Sequence, residues 1–158
     1  VQMVAGQYRI IDYLENNRQA IDYYVRQIQA KNYVYERHYL PHDGRHANLA
    51  TGKTIQEIVE GFGLRVEIVP QIGIDNGINA VRMAMPNVWI DENKCKEGIK
   101  ALEYYHYETD KNGNRRNIPA HDWSSHGCDA FRYMAVAFKE SVKHKPIKKA
   151  YVQHGWMG

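Results

Sequence analysis

Asp129 sits in the run Gly127 to Phe138, GCDAFRYMAVAF, where it and Arg132 are the only charged residues. Phe131, Met134, Ala135 and Phe138 recur at helical spacing, and Tyr133 and Val136 cover the other side. The pattern predicts a helix buried on most of its circumference. A carboxylate there is costly unless it is paired or binds a metal. Asp122, His126 and Asp129 share one face of the same helix, at spacings of four and three. Acid and imidazole at one end of an apolar helix could hold a metal or orient water. The plainer alternative is that Asp129 pairs with Arg132, Asp122 caps the helix and His126 is a surface residue.

Asp43 is the second carboxylate of interest, in the run YLPHDG directly after a predicted strand from Tyr33 to Leu40. Loops at strand ends are where α/β sheets place their sites, although Pro-His-Asp-Gly is also good turn chemistry. Two carboxylates from distant segments could hold Mg²⁺ or Mn²⁺, which prefer oxygen ligands. Two such ions roughly 3.5–4 Å apart can activate water and stabilise the leaving oxygen in phosphodiester cleavage. That chemistry normally takes three or more carboxylates. Asp12 and Glu15, after a strand from Tyr8, are possible helpers.

Ala47 to Thr54, ANLATGKT, fits a relaxed phosphate-loop pattern, and Val88 to Asp91 could supply a magnesium-binding strand. Glycine is what lets such a loop wrap phosphates. Here Ala47 replaces the first glycine, Asn48, Leu49 and Ala50 follow, and the preceding strand ends well before the motif. A solvated helix start accounts for Gly52, Lys53 and Thr54. Nucleotide binding remains an alternative.

The elements that must position these residues follow from periodicity. Val1 to Val4 and Tyr8 to Tyr13 read as a hairpin about Ala5-Gly6-Gln7. A helix is expected from Arg18 to Ala30, and a strand from Tyr33 to Leu40. Thr54 and Glu57 form a capping-box pattern for a helix ending at Gly61 or Gly63. Leu64 to Val69 is a strand. A helix capped by Asp75 ends at Pro86, Val88 to Ile90 is a short strand, and a helix runs from Asn93 to about Tyr107. Asp110 to Pro119 is the most loop-like stretch, and a final helix runs from Trp123 to about Glu140. Alternating strands and helices with an opening hairpin predict a mixed α/β sheet.

The 158 residues suit one compact domain, taken here as residues 1–140, followed by a basic tail or linker from Ser141 to Gly158 with Lys143, Lys145, Lys148 and Lys149. The net charge of +3 permits a polyanionic partner without demanding one. Cys95 and Cys128 match no metal-type spacing and read as reduced thiols. No apolar run reaches membrane-spanning length.

Four runs together carry a resemblance: YLPHDG (Tyr39 to Gly44), TGKTIQEIVEGFG (Thr51 to Gly63), GINAVRMAMPNVWID (Gly77 to Asp91) and HDWSSHGCDAFRYM (His121 to Met134). In content, order and spacing they resemble the C-terminal nuclease domain of tailed-phage terminase large subunits, over nearly all of Val1 to Phe138. The last run is the most specific.

The resemblance implies a ribonuclease H-like fold and a metal-dependent endonuclease that cuts concatemeric double-stranded viral DNA during packaging, with Mg²⁺ or Mn²⁺ as cofactor. It implies partners as well: the terminase small subunit, the portal and a motor ATPase domain, in the cytoplasm of a bacterial host, with no role for a membrane. The family's carboxylate after the fourth strand maps to Asp43, and its carboxylate on the last helix to Asp129. The family's first catalytic aspartate lies on a strand ahead of the hairpin, so it is expected to be missing from a chain that opens at Val1. In this setting Asp122 and His126 are accessory candidates, and Lys53, Arg115 and Arg116 could contact DNA phosphates, although loop arginines are more often simply solvated. The alternative to an enzyme is a non-catalytic module that grips DNA or docks onto the portal.

Overall fold

Short strands alternate with helices, as the periodicity predicts, in a computed structural model that describes residues 1–47, 49 and 51–143, with side chains described to Phe138. In chain order the elements are β1 (Gln2–Val4), β2 (Gln7–Ile10), α1 (Ile21–Ala30), β3 (His38–Leu40), α2 (Ile55–Gly61), β4 (Val66–Ile68), α3 (Ile74–Ala84), β5 (Val88–Ile90), α4 (Lys96–Tyr104), β6 (Tyr107–Thr109), β7 (Arg115–Pro119) and α5 (Trp123–Lys143). The architecture is mixed α/β, with five α-helices and small sheets among the described residues. No helix among them is long and apolar enough to cross a membrane.

The strands form three separate groups: β1-β2-β5, β3-β4 and the β6-β7 hairpin. Pairing of β1 with β2 is antiparallel, while β2 with β5 and β3 with β4 are parallel. Helix α5 ties the first two groups together. The ring of Phe138 packs 5.6 Å from Tyr8 on β2 and 5.8 Å from Tyr39 on β3.

Small residues let the helices approach. Gly77, Ala80 and Ala84 line the buried face of α3 at spacings of three and four, and Ala135, Val136 and Ala137 of α5 share their core with Val69. On the other flank of α5, the ring of Tyr13 is wedged between two glycines. A Cβ added at Gly98 would lie 3.0 Å from that ring, and one at Gly127 would lie 2.7 Å from its hydroxyl. Cys128 is buried and gives its thiol to the Ala101 carbonyl at 3.4 Å. Burial, then the nearby carboxylates, push that thiol up to about 11, so it stays protonated.

Local signals hold where they are self-contained. Thr54 and Glu57 form the reciprocal capping box, with Glu57 N–H donating to Thr54 Oγ1 at 3.0 Å and Thr54 N–H to Glu57 Oε2 at 2.8 Å. Elsewhere the structure corrects the expected bounds. The strand expected from Tyr33 is paired only from His38, because its partner β4 offers three residues, and Val34 is fully exposed. Gly73, not Asp75, is the N-cap of α3. The stretch expected to be loop-like is a hairpin. Asp110 Oδ1 accepts from the amides of Asn112 and Asn114, both at 2.8 Å, and Gly113 takes a positive φ, so the turn is tight enough for β6 and β7 to pair. Helix α5 runs past Glu140 to Lys143, while Lys145, Lys148 and Lys149 of the expected basic tail lie outside the described residues.

Candidate functional site

Strand β3 ends at Leu40, and His42–Arg45 follow as a single 3₁₀ turn behind Pro41. Gly44 permits the turn to fold back on the sheet: a Cβ there would lie 3.2 Å from Leu40 Cβ and 3.3 Å from Ile68 Cδ1. The turn exposes Asp43 and keeps His42 half-buried against α5. His42 Nδ1 and the Tyr133 hydroxyl are 3.1 Å apart, and their rings 6.4 Å.

These contacts run in order along two segments. Tyr39 meets Phe138, and His42 meets Tyr133 one helical step nearer the start of α5. Asp43 is the next residue on one segment, and Asp129 lies one turn further along the other. Tyr133 is raised above its ordinary value by burial and, against the opposing charge of Arg132, by the charges of Asp43 and Asp129, so the phenol stays protonated.

Asp129 also has a partner on its own helix. Arg132 reaches its Oδ1 at 3.0 Å, with the arginine side chain 16% exposed and the aspartate 41%. The plain pairing expected from the sequence is thus present. Gly77 makes room for the arginine: a Cβ there would lie 2.3 Å from Arg132 Cδ and 2.5 Å from Cγ. A mid-helix glycine costs roughly 1 kcal/mol against alanine, and the passage of Arg132 explains its presence in α3.

The accessory candidates are engaged elsewhere. Asp122 accepts from the Ser124 amide at 2.9 Å and the Ser124 hydroxyl at 2.6 Å, which hold its carboxyl below the usual range. That is the helix-start role. His126 is exposed and packs edge-on against His121, with centroids 5.7 Å apart. Asp12 is bound by Lys31 Nζ at 2.7 Å and by the Tyr33 hydroxyl at 3.3 Å. Burial pushes this carboxyl up, but those partners outweigh it and hold it below the usual range. Glu15 accepts from the Tyr13 hydroxyl.

The cationic candidates divide in the same way. Arg115 lies over the Tyr107 ring at 3.9 Å, and Arg116 pairs across the hairpin with Glu108 at 2.8 Å. Lys53 precedes α2 in an exposed turn. The Thr54 hydroxyl is committed to Glu57, and Ala47 bridges Thr54 in antiparallel fashion, an arrangement that leaves no phosphate-binding role for that threonine as it stands.

His42 and Tyr133 were not singled out from the sequence as site residues. Both had a local signal: His42 precedes Asp43, and Tyr133 follows Asp129 at a spacing of four, which puts it on the same helix face. Two cavities among the described residues lie elsewhere. One of about 140 Å³ is lined by Ile10, Cys95, Leu102, Phe131 and Met134, and one of about 480 Å³ by Asp12, Lys31, Tyr33 and Tyr35. The candidate site is on open surface, which suits a polymer better than an enclosed small molecule.

Among the described residues, no group of three or more His, Cys, Asp or Glu side chains is arranged to hold a metal. Mg²⁺ is commonly bound through one or two carboxylates, with waters and substrate phosphate oxygens completing the shell. Asp43 and Asp129 are oxygen donors of the kind such an ion takes, and they lack the third carboxylate that two ions would need. Comparison of the chain with known protein families, with curated proteins and with solved structures finds no match.

Proposed function

We propose that the chain is a divalent-metal-dependent nuclease domain of ribonuclease H-like type, the DNA-cutting part of a phage terminase large subunit. The observation that carries this reading is the hydrogen bond that joins His42, the neighbour of Asp43, to Tyr133, one helical turn from Asp129. Support comes also from the frame: one carboxylate follows a strand of a parallel pair, and the other lies on the helix packed across the strands. The motif resemblance supplies the biological setting of double-stranded viral DNA, a small subunit, a portal and a motor domain in an infected bacterium.

Asp43 and Asp129 would hold Mg²⁺ or Mn²⁺. Such an ion polarises a phosphodiester and makes water more nucleophilic at neutral pH. Arg132 fixes Asp129 in place. Tyr133 keeps its proton and is able to donate it in a hydrogen bond, which excludes a third negative charge from the site. Contacts made through phosphate carry no base information, so cutting shows little sequence preference.

The test is Mn²⁺ titration of this chain, followed residue by residue through paramagnetic broadening in NMR spectra. Broadening centred on both Asp43 and Asp129, with Mn²⁺-dependent nicking of plasmid DNA, is expected. Broadening at neither position removes the site. The incomplete donor set favours a second reading, a non-catalytic DNA-binding module. DNA affinity that persists in chelator and falls with salt, with no cutting, selects that module.

A further inference from the structure

Among the described residues, the bond between His42 Nδ1 and the Tyr133 hydroxyl is the side-chain hydrogen bond that joins the segment bearing Asp43 to the helix bearing Asp129. The same two segments touch through the rings of Tyr39 and Phe138, 5.8 Å apart, farther from the carboxylates. A ring contact resists separation but leaves the segments free to slide and swivel. A second, directional tie removes that freedom. It lies one residue from Asp43 and one helical turn from Asp129, so it fixes the two segments relative to each other at the stretches that carry the acids. Asp129 is separately held by Arg132, whose stem passes over Gly77. Asp43, exposed on a short turn, depends on its neighbour His42 for its placement relative to α5.

We propose that His42 and Tyr133 are positioning residues that set the spacing of Asp43 and Asp129 for a divalent cation, an inference that rests on the nuclease reading of the site. Groups that orient metal ligands from behind typically change metal affinity by about 10–100-fold when removed.

The experiment measures the Mn²⁺ affinity of the full chain by the electron paramagnetic resonance signal of free Mn²⁺, with thermal unfolding of each variant recorded alongside. Tyr133→Phe keeps the ring and loses the bond, and His42→Ala loses it from the other side. Both should weaken Mn²⁺ binding by about tenfold or more. His42→Asn, which returns a polar group near the position of Nδ1, should recover most of the loss. Val25→Ala, a buried change in α1 away from the site, should lower the unfolding temperature and leave Mn²⁺ affinity as in the wild type. Wild-type affinity in Tyr133→Phe overturns the proposal and leaves the nuclease reading standing. A loss of affinity in Val25→Ala equal to that in Tyr133→Phe also overturns it, because the bond then acts only through stability. A wild-type chain that binds no Mn²⁺ overturns both.

Discussion

Two aspartates on one helix have opposite surroundings. Asp122, just before α5, accepts the Ser124 amide and hydroxyl on one oxygen, Oδ1, and has His106 Nδ1 4.0 Å from the other. Asp129, two turns on, has one partner in Arg132, and Tyr133 one turn further along the helix meets His42 of the β3 turn. A parallel contrast holds after the strands. Asp12 beyond β2 is saturated by Lys31 and Tyr33, while Asp43 beyond β3 sits exposed on its turn. A carboxylate held by hydrogen bonds or an ion pair, whether from its own helix start or from a distant segment, has a structural task. An exposed one such as Asp43 keeps oxygens available for a cation.

The largest effect that could break this comparison is on cutting. Asp43→Asn and Asp129→Asn keep shape and remove charge, and each should reduce Mn²⁺-dependent nicking by at least about a hundredfold with the circular dichroism spectrum unchanged. Full activity in either variant removes that residue from the site.

Gly77→Ala sharpens the comparison from the opposite side of Arg132. The added methyl meets the arginine stem at 2.3–2.5 Å, so α3 or Arg132 must shift. The cost should be about 1–3 kcal/mol, read from urea unfolding, with nicking reduced because Asp129 loses its aligned partner. A variant as stable as the wild type shows that the arginine repacks freely.

Lys31→Met tests the saturated acid. It should cost about 1–2 kcal/mol near neutral pH and leave nicking intact. The sign follows from the lowered Asp12 value: the pair stabilises the fold above the unfolded carboxylate value of about 4 and loses that contribution as pH falls through the lower folded value. The difference between variant and wild type should therefore shrink in acid. A gap that stays constant from neutral to acid pH assigns the loss to packing.

Asp122→Asn should give the smallest change, a slight drop in unfolding temperature with cutting preserved. A marked loss of cutting would return Asp122 to the site.

Much of this was legible in the sequence where signals are local. The Thr54–Glu57 capping box, the hairpin about Gly6 and the apolar periodicity of α5 each involve residues within a few positions of one another, so their chemistry is complete before the chain folds. The same holds for Asp129 with Arg132 and for the place of Asp43 behind a strand. The length of β3 was not legible, because a strand is only as long as the partner it finds in β4. Nor was the β6-β7 hairpin, whose charged residues hide the alternation and are satisfied across the strands by Arg116–Glu108 and Arg115–Tyr107.

Composition and spacing by themselves determined that Asp129 lies on a mostly apolar helix beside Arg132 and that Asp43 follows a strand. Only the tertiary structure decided that Asp12 is neutralised by Lys31 and that His42 meets Tyr133. The physical reason is that a hydrogen bond between segments far apart in the chain leaves no periodic trace in either one. Its partners are selected by packing, here by the ring of Phe138 against Tyr39 and the bare backbone of Gly77 beneath Arg132.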